Sequence, residues 1–259
     1  MPPWGPDRRP AAVAVAFAGL ATPAPDHPVT PALPTLLRVL SDRQLYATFF
    51  VEPEIATAEP FALEMIDLSA NEVGLLADTT EPDALADGFA ALRDAGAQPA
   101  GALLTAGAGE PGGSADTRQE RAADAGATDA DAPGSSHPGA TDAAADALRA
   151  AGAAYVALPG GAPAARPTRG DDGLVRIPVA RDEAASPSSF HLAFQAAVGR
   201  TLPLGGMLAI APPAHRFERR DALDVLVESL DLVAGLRRAE RLWTPTFAEL
   251  ASEAAAQAG

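Results

Sequence analysis

The sequence predicts an α/β fold: an irregular β/α barrel of about seven parallel strands, with an open doubly wound sheet as the second way to close the same elements. Two observations carry this. Short apolar runs alternate with longer amphipathic stretches along the chain, the pattern of parallel strands joined by helices. About seven or eight such units fit into 259 residues, of which 47% are hydrophobic and 20% charged, enough to bury a substantial core. Length alone allows one large domain or two small ones. The unbroken series of units places residues 1–259 in a single domain.

Residues 13–17 are the first buried strand, followed by a proline-rich loop through Asp26 and His27. A helix over 31–40 sets Leu33, Leu36, Leu37 and Leu40 on one stripe at helical spacing. The aromatic and β-branched run 46–51 is the second strand, 59–68 a helix, and 72–76 a short third strand. A helix over 82–95 turns Leu85, Phe89 and Leu92 inward and stops at Gly96, and 99–105 is a fourth, weaker strand. Beyond the region 106–141, helix is expected over 142–151, 189–199 and 219–236, and strand over 154–158, 174–179, 207–211 and 241–243. The last helix, 246–256, opens on the capping box Thr246-Phe-Ala-Glu249.

Between Gly107 and Ala140 there is no Val, Ile, Leu, Phe, Trp or Tyr. Such a stretch cannot bury enough apolar area to offset its ordering entropy. Residues 106–141 are therefore expected to form a low-complexity disordered insertion, which absorbs part of the surplus of 23 Gly and 25 Pro.

Charge and composition remove whole classes of function. With 19 Lys+Arg against 34 Asp+Glu the net charge is −15, which argues against a nucleic-acid partner, because neutralising phosphates needs clustered basic charge. There is no cysteine, so disulfides, Cys-ligated zinc, iron–sulfur clusters and thiol nucleophiles are excluded. Every basic residue is Arg, so neither a Schiff-base lysine nor a phosphate-loop lysine exists. Only four His are present, too few for a His-rich metal site. No apolar run approaches the ~20 residues of a membrane span. Arg8-Arg9, the apolar 11–20 and Ala21-Thr-Pro-Ala24 look loosely like a twin-arginine export signal. Asp7 and the flanking prolines argue instead for a first strand and a cytoplasmic protein. Gly107-Ala-Gly-Glu-Pro-Gly-Gly113 precedes no apolar helix and fails as a phosphate loop. Arg216, Arg219 and Arg220 read as a solvated helix-start cluster near Glu218.

The ordered series of strands also resembles a known family. Val13-Ala-Val-Ala-Phe17, a leucine helix, Tyr46-Ala-Thr-Phe-Phe-Val51 and Asn71-Glu-Val-Gly74 are similar, at matching separations, to the first three strands of the polysaccharide deacetylases. These are the carbohydrate esterase family 4-like group with the NodB-homology domain. Arg93–Thr105, Gly173-Leu-Val-Arg-Ile-Pro178, Gly205-Gly-Met-Leu-Ala-Ile210 and Leu242-Trp-Thr-Pro-Thr-Phe-Ala-Glu-Leu250 resemble its later elements. The opening Pro3-Trp4-Gly5 is similar to the branch acting on peptidoglycan-type and allantoin-like amides.

The resemblance implies a divalent metal held by one Asp and two His that activates water, a second Asp as base, an Arg that orients it, and a His as acid. At the matching positions this chain departs from the pattern throughout. The T-F-D-D motif is replaced by Ala16-Phe-Ala18-Gly19, and the H-x-x-x-H motif by Leu76-Ala-Asp-Thr-Thr80. The R-A-P motif falls on Leu103-Leu-Thr105 and the L-H-P motif on Ala211-Pro212-Pro213. Ala18, Gly19, Leu76, Thr80, Leu103 and Pro212 thus stand where the catalytic groups would be, with Leu76, Leu103 and Pro212 expected to fill the cleft. The expectation is a pseudoenzyme that binds a glycan or a protein partner, with no cofactor. The alternative is an active hydrolase of non-peptide C–N bonds, using zinc or another divalent metal at a rebuilt site drawn from Asp26, His27, Glu52, Asp78 and His215. Against it, Asp26 and His27 read as turn residues, Glu52 as a solvated loop charge and Asp78 as a cap of the next helix.

Overall fold

Apolar residues at successive positions of most of the short strands leave those strands with two faces to bury, and the chain buries both by closing the sheet on itself. The computed structural model describes residues 3–21, 29–105, 138–162, 164–180 and 186–258. In order, β1 (Ala12–Ala18), α1 (Leu33–Asp42), β2 (Thr48–Val51), α2 (Pro53–Ala58), α3 (Pro60–Leu68), β3 (Glu72–Ala77), α4 (Pro82–Asp94) and β4 (Gly101–Leu104) form the first half. Then come α5 (Pro138–Ala150), β5 (Tyr155–Gly161), β6 (Thr168–Arg169), β7 (Val175–Ala180) and α6 (Pro187–Leu204). The chain finishes with β8 (Met207–Ile210), a 3-10 turn (Ala214–Glu218), α7 (Arg220–Arg238) and α8 (Phe247–Ala258).

The strands run β5-β4-β3-β2-β1-β8-β7, and β5 pairs back onto β7, so seven parallel strands close a barrel and β6 adds an antiparallel flap on β7. Closure decides for the barrel over the open sheet. The seam is uneven: β7 meets β8 through one registered pair, Ala180 with Ile210.

Each strand's alternation sorts its side chains into two cores. On β1, Val13, Val15 and Phe17 face the helices, while Ala12, Ala14 and Ala16 face the lumen. These small residues leave room for Phe50, Tyr155 and Phe247, whose rings meet at centroid distances of 5.3 Å (Phe50–Phe247) and 6.0 Å (Tyr155–Phe247). Gly101 belongs to the same arrangement, since a Cβ there would lie 2.5 Å from the Tyr155 ring.

The lumen's lower end is sealed by α8. Thr246 and Glu249 form the expected capping box, with Glu249 N donating to Thr246 Oγ1 at 3.3 Å and Thr246 N to Glu249 Oε2 at 2.9 Å. The next two amides of α8 donate inward, Phe247 N to Thr48 Oγ1 and Ala248 N to Glu72 Oε2, each at 2.9 Å. Glu72 also accepts from Thr48 Oγ1 at 2.8 Å and from the Tyr155 hydroxyl at 2.6 Å. The Glu72 carboxylate and the Thr48 hydroxyl thus each satisfy one orphan N–H group of a helix start, where the macrodipole favours negative charge. Burial still holds the Glu72 pKa above the ordinary carboxylate range, with its four hydrogen bonds pulling the other way. Burial, then the neighbouring Glu72 charge, pushes the Tyr155 phenol well up.

Four details differ from the sequence reading. Pro53 at the start of a turn opens α2, a short helix where a loop was expected. α6 runs through Pro203 and stops only at Gly205, whose φ of 62° the left-handed cap requires. The strand expected over 241–243 is a single bridge between Trp243 and Ala12. α5 begins at Pro138, inside the stretch assigned to the insertion; residues 106–137 lie outside the described ones. No described helix is long and apolar enough to cross a membrane.

Candidate functional site

The C-terminal ends of the strands are the usual working face of a β/α barrel, because the loops that follow them are free to carry chemistry. Here the end of β1 is fixed by its neighbours: Ala18 N donates to Pro212 O and Gly19 N to Phe50 O, each at 2.9 Å. The alternation that turns Ala12, Ala14 and Ala16 inward also turns Ala18 inward, and Leu76 from β3 and Leu103 from β4 join the same lumen cluster. Pro212 is buried after β8, and Thr80 is half-buried in the turn after β3. The mouth is therefore floored by methyl and isobutyl groups at the positions where the resemblance calls for a carboxylate, an imidazole and a guanidinium. Ala18, Leu76 and Leu103 carry no metal-ligating side-chain atom, so the residues at these positions do not fit a divalent metal.

Glu52 gives the mouth its most specific feature. It follows β2 directly and returns its carboxylate to the end of β1, accepting from Leu20 N at 2.9 Å through Oε2 and from Ala21 N at 3.4 Å through Oε1. A Cβ at Gly19, which has a φ of +75°, would lie 2.7 Å from Glu52 Oε1. Backbone conformation and space therefore both favour glycine at 19 while Glu52 is present. Glu52 is not the solvated loop charge its position before Pro53 suggests. It is half-buried and committed to main-chain amides. Sequence reasoning missed this role because the two partners, 32 residues apart, are joined only by the parallel pairing of β1 with β2.

Beside Glu52 lies a cleft of about 370 Å³, lined among others by Glu54, Leu76, Asp78, Thr79 and Thr105. Among the described residues its ionisable lining is wholly acidic, Glu52, Glu54 and Asp78, with no imidazole or guanidinium to complement a carboxylate base. Asp78 is exposed and does not cap α4, whose N-cap position is Glu81 with no side-chain cap. The turn is held instead by Glu81 N donating to Thr79 Oγ1 at 3.0 Å.

Of the residues proposed for a rebuilt site, the structure brings Glu52 and Asp78 to one cleft. His215 is exposed on the 3-10 turn and is not among that cleft's lining residues. Asp26 and His27 lie outside the described residues. Among the described residues, no group of three or more His, Cys, Asp or Glu is placed to hold a metal ion. His191 bridges helices, its Nδ1 2.9 Å from Ser229 Oγ on α7 and its Nε2 2.7 Å from the Gln195 amide. Arg219 pairs with Asp221 at 2.7 Å.

No protein-family profile matches the sequence, and no curated protein is similar to it. Solved structures are similar in fold. A Mycobacterium smegmatis structure assigned to the polysaccharide deacetylases superposes with a TM-score of 0.70 at 18% identity, covering 100% of this chain and 94% of its own. The Puue allantoinase gives 0.67 at 11% identity, covering 96% of this chain and 91% of its own. A Pseudomonas aeruginosa PAO1 structure, also assigned to the polysaccharide deacetylases, gives 0.64 at 11% identity, covering 96% and 92%. At such identities the likeness establishes the fold: this chain has the barrel of the polysaccharide deacetylases.

Proposed function

We propose that this protein is a deacetylase-type barrel without metal-dependent hydrolysis, serving as a binding protein or partner subunit for a glycan or another protein. The observation that carries the reading is the Gly19–Glu52 pairing. The space into which a side chain at 19 would project is taken by a carboxylate oxygen, and that carboxylate is spent on the Leu20 and Ala21 amides. The apolar floor of Ala18, Leu76 and Leu103 supports it further, since an apolar surface supplies neither proton transfer nor water activation. β1, paired on both sides with β2 and β8, supports a cytoplasmic location over export, because a leader cleaved near Ala24 would remove a barrel strand.

The test is hydrolysis of N-acetylglucosamine oligomers, with and without Zn²⁺, Co²⁺ or Mn²⁺. No turnover above a heat-denatured control is expected under any of these conditions. Metal-dependent turnover that His27→Ala and His215→Ala abolish would replace this reading with the alternative, a C–N bond hydrolase with a rebuilt site. Calorimetric titration with the same oligomers separates glycan binding from a role confined to protein partners.

A further inference from the structure

On the outside of the barrel, α4 packs along α5 and α6 along α7, whereas α3 and α4 do not close on each other in the same way. Two adjoining pockets of about 450 Å³ each lie between them and share Pro60 and Ala95. The trough is apolar, floored by Ala56, Leu63, Ala91 and Ala97 beside the shared pair. Among the described residues its ionisable lining is entirely acidic: Glu64 and Asp67 from α3, Asp87 and Asp94 from α4.

Several other surface carboxylates are ion-paired. Asp231 is paired with Arg43 at 2.9 Å, Asp172 with Arg176 at 2.6 Å and Asp221 with Arg219 at 2.7 Å. Among the described residues, none of the four groove carboxylates has an ion-pair partner. Phe61 and Leu68, seven positions apart on the outer face of α3, are 63% and 77% exposed. An apolar trough with projecting large side chains and an uncompensated acidic rim is the complement of an amphipathic, basic helix.

We propose that the α3–α4 groove docks a basic amphipathic segment of a partner protein, with its apolar side chains in the trough and Arg or Lys against Glu64, Asp67, Asp87 and Asp94. The nine residues of α3 give the groove a length of about 14 Å, room for two to three helical turns. A second copy is the poorer occupant, because it brings a chain of net charge −15 to a rim already negative. Its Arg9 is moreover held by Asp7 and Glu240. The groove lies on the helical layer and not at the mouth of the barrel, so this inference stands or falls independently of whether the barrel hydrolyses anything.

The test uses the full chain and a fluorescein-labelled amphipathic peptide of about 18 Leu and Arg residues, read by anisotropy at low and moderate salt. A scrambled peptide of the same composition serves as control. The groove variant Glu64→Gln, Asp67→Asn, Asp87→Asn, Asp94→Asn is compared with a variant of equal charge change elsewhere: Asp42→Asn, Asp171→Asn, Asp224→Asn, Glu228→Gln. Circular dichroism establishes that both are folded. The groove variant is expected to weaken binding at least about tenfold, the control variant less than about twofold, and scrambling at least about tenfold. Phe61→Ala is expected to weaken it about threefold to fivefold without changing its salt dependence. Equal losses in both charge variants, equal binding of the scrambled peptide, or no binding would overturn the proposal. So would self-association of the wild-type chain in sedimentation that the groove variant abolishes.

Discussion

The two ends of the barrel treat polar groups in opposite ways. At the lower end a carboxylate, a phenol, a hydroxyl and two helix amides form one connected set around Glu72, closed by α8. At the mouth, Ala18, Leu76 and Leu103 line the lumen, and the carboxylate nearest to β1, that of Glu52, is tied to main-chain amides. The difference teaches that this barrel keeps polar side chains where they hold secondary structure together. At the mouth the lumen itself is lined by apolar side chains, and the acidic groups sit in the cleft beside Glu52.

The largest effect expected from breaking that contrast is at the lower end. Glu72→Ala removes the acceptor of the buried Tyr155 hydroxyl and of Ala248 N together, and should cost about 3 kcal/mol or more, read as a lower urea midpoint with an unchanged slope. Glu72→Gln, which keeps an acceptor oxygen, should cost about 1 kcal/mol. A midpoint for Glu72→Ala within experimental error of wild type would show that the network is not what closes the barrel.

At the mouth, Gly19→Ala should cost about 2 kcal/mol, from the left-handed φ of +75° and the contact with Glu52 Oε1 together. Glu52→Ala should cost about 1 to 2 kcal/mol, by leaving Leu20 N without its acceptor. Combined, the two should be less damaging than their sum, because the second substitution removes the obstacle that the first collides with. Strict additivity in a double-mutant cycle would mean that the 2.7 Å approach has no energetic consequence.

The smallest effects are in pH. The Glu72 carboxyl has a raised pKa in the folded protein, so the native state holds that proton more tightly than the unfolded chain does. Its contribution to stability therefore falls as pH rises from the ordinary value of 4.5 through the folded one. The stability gap between wild type and Glu72→Gln should narrow from pH 4.5 to 7. Asp172 behaves oppositely: its side-chain hydrogen bond with Arg176 lowers its pKa, and its contribution is present above 3.8 and lost as pH falls through the folded value. The gap to Asp172→Asn should widen as pH rises from about 3 to 5. Parallel pH profiles for wild type and both variants would contradict these assignments.

Much of the fold was legible because it rests on periodicity. The leucine stripe of α1 is buried at Leu33, Leu36, Leu37 and Leu40, and the capping box at Thr246 forms. The misses have local causes. α2 has only six residues, too few for a periodic signal, and α6 passes a proline that usually ends a helix. The candidate site was legible only as a set of missing groups. Composition says that Ala18 and Gly19 bear no carboxylate; it does not say what stands in their place.

The sequence by itself determined the strand–helix alternation, the apolar character of the mouth positions and the absence of lysine and cysteine, because each is a property of residue identity and near-neighbour spacing. Only the tertiary structure decided that the sheet closes from β5 to β7, that Glu52 fills the space beside Gly19, and that Glu72 joins three strands to α8. Those contacts bring together residues far apart in the chain. Their energies depend on distance and burial, which no local pattern encodes.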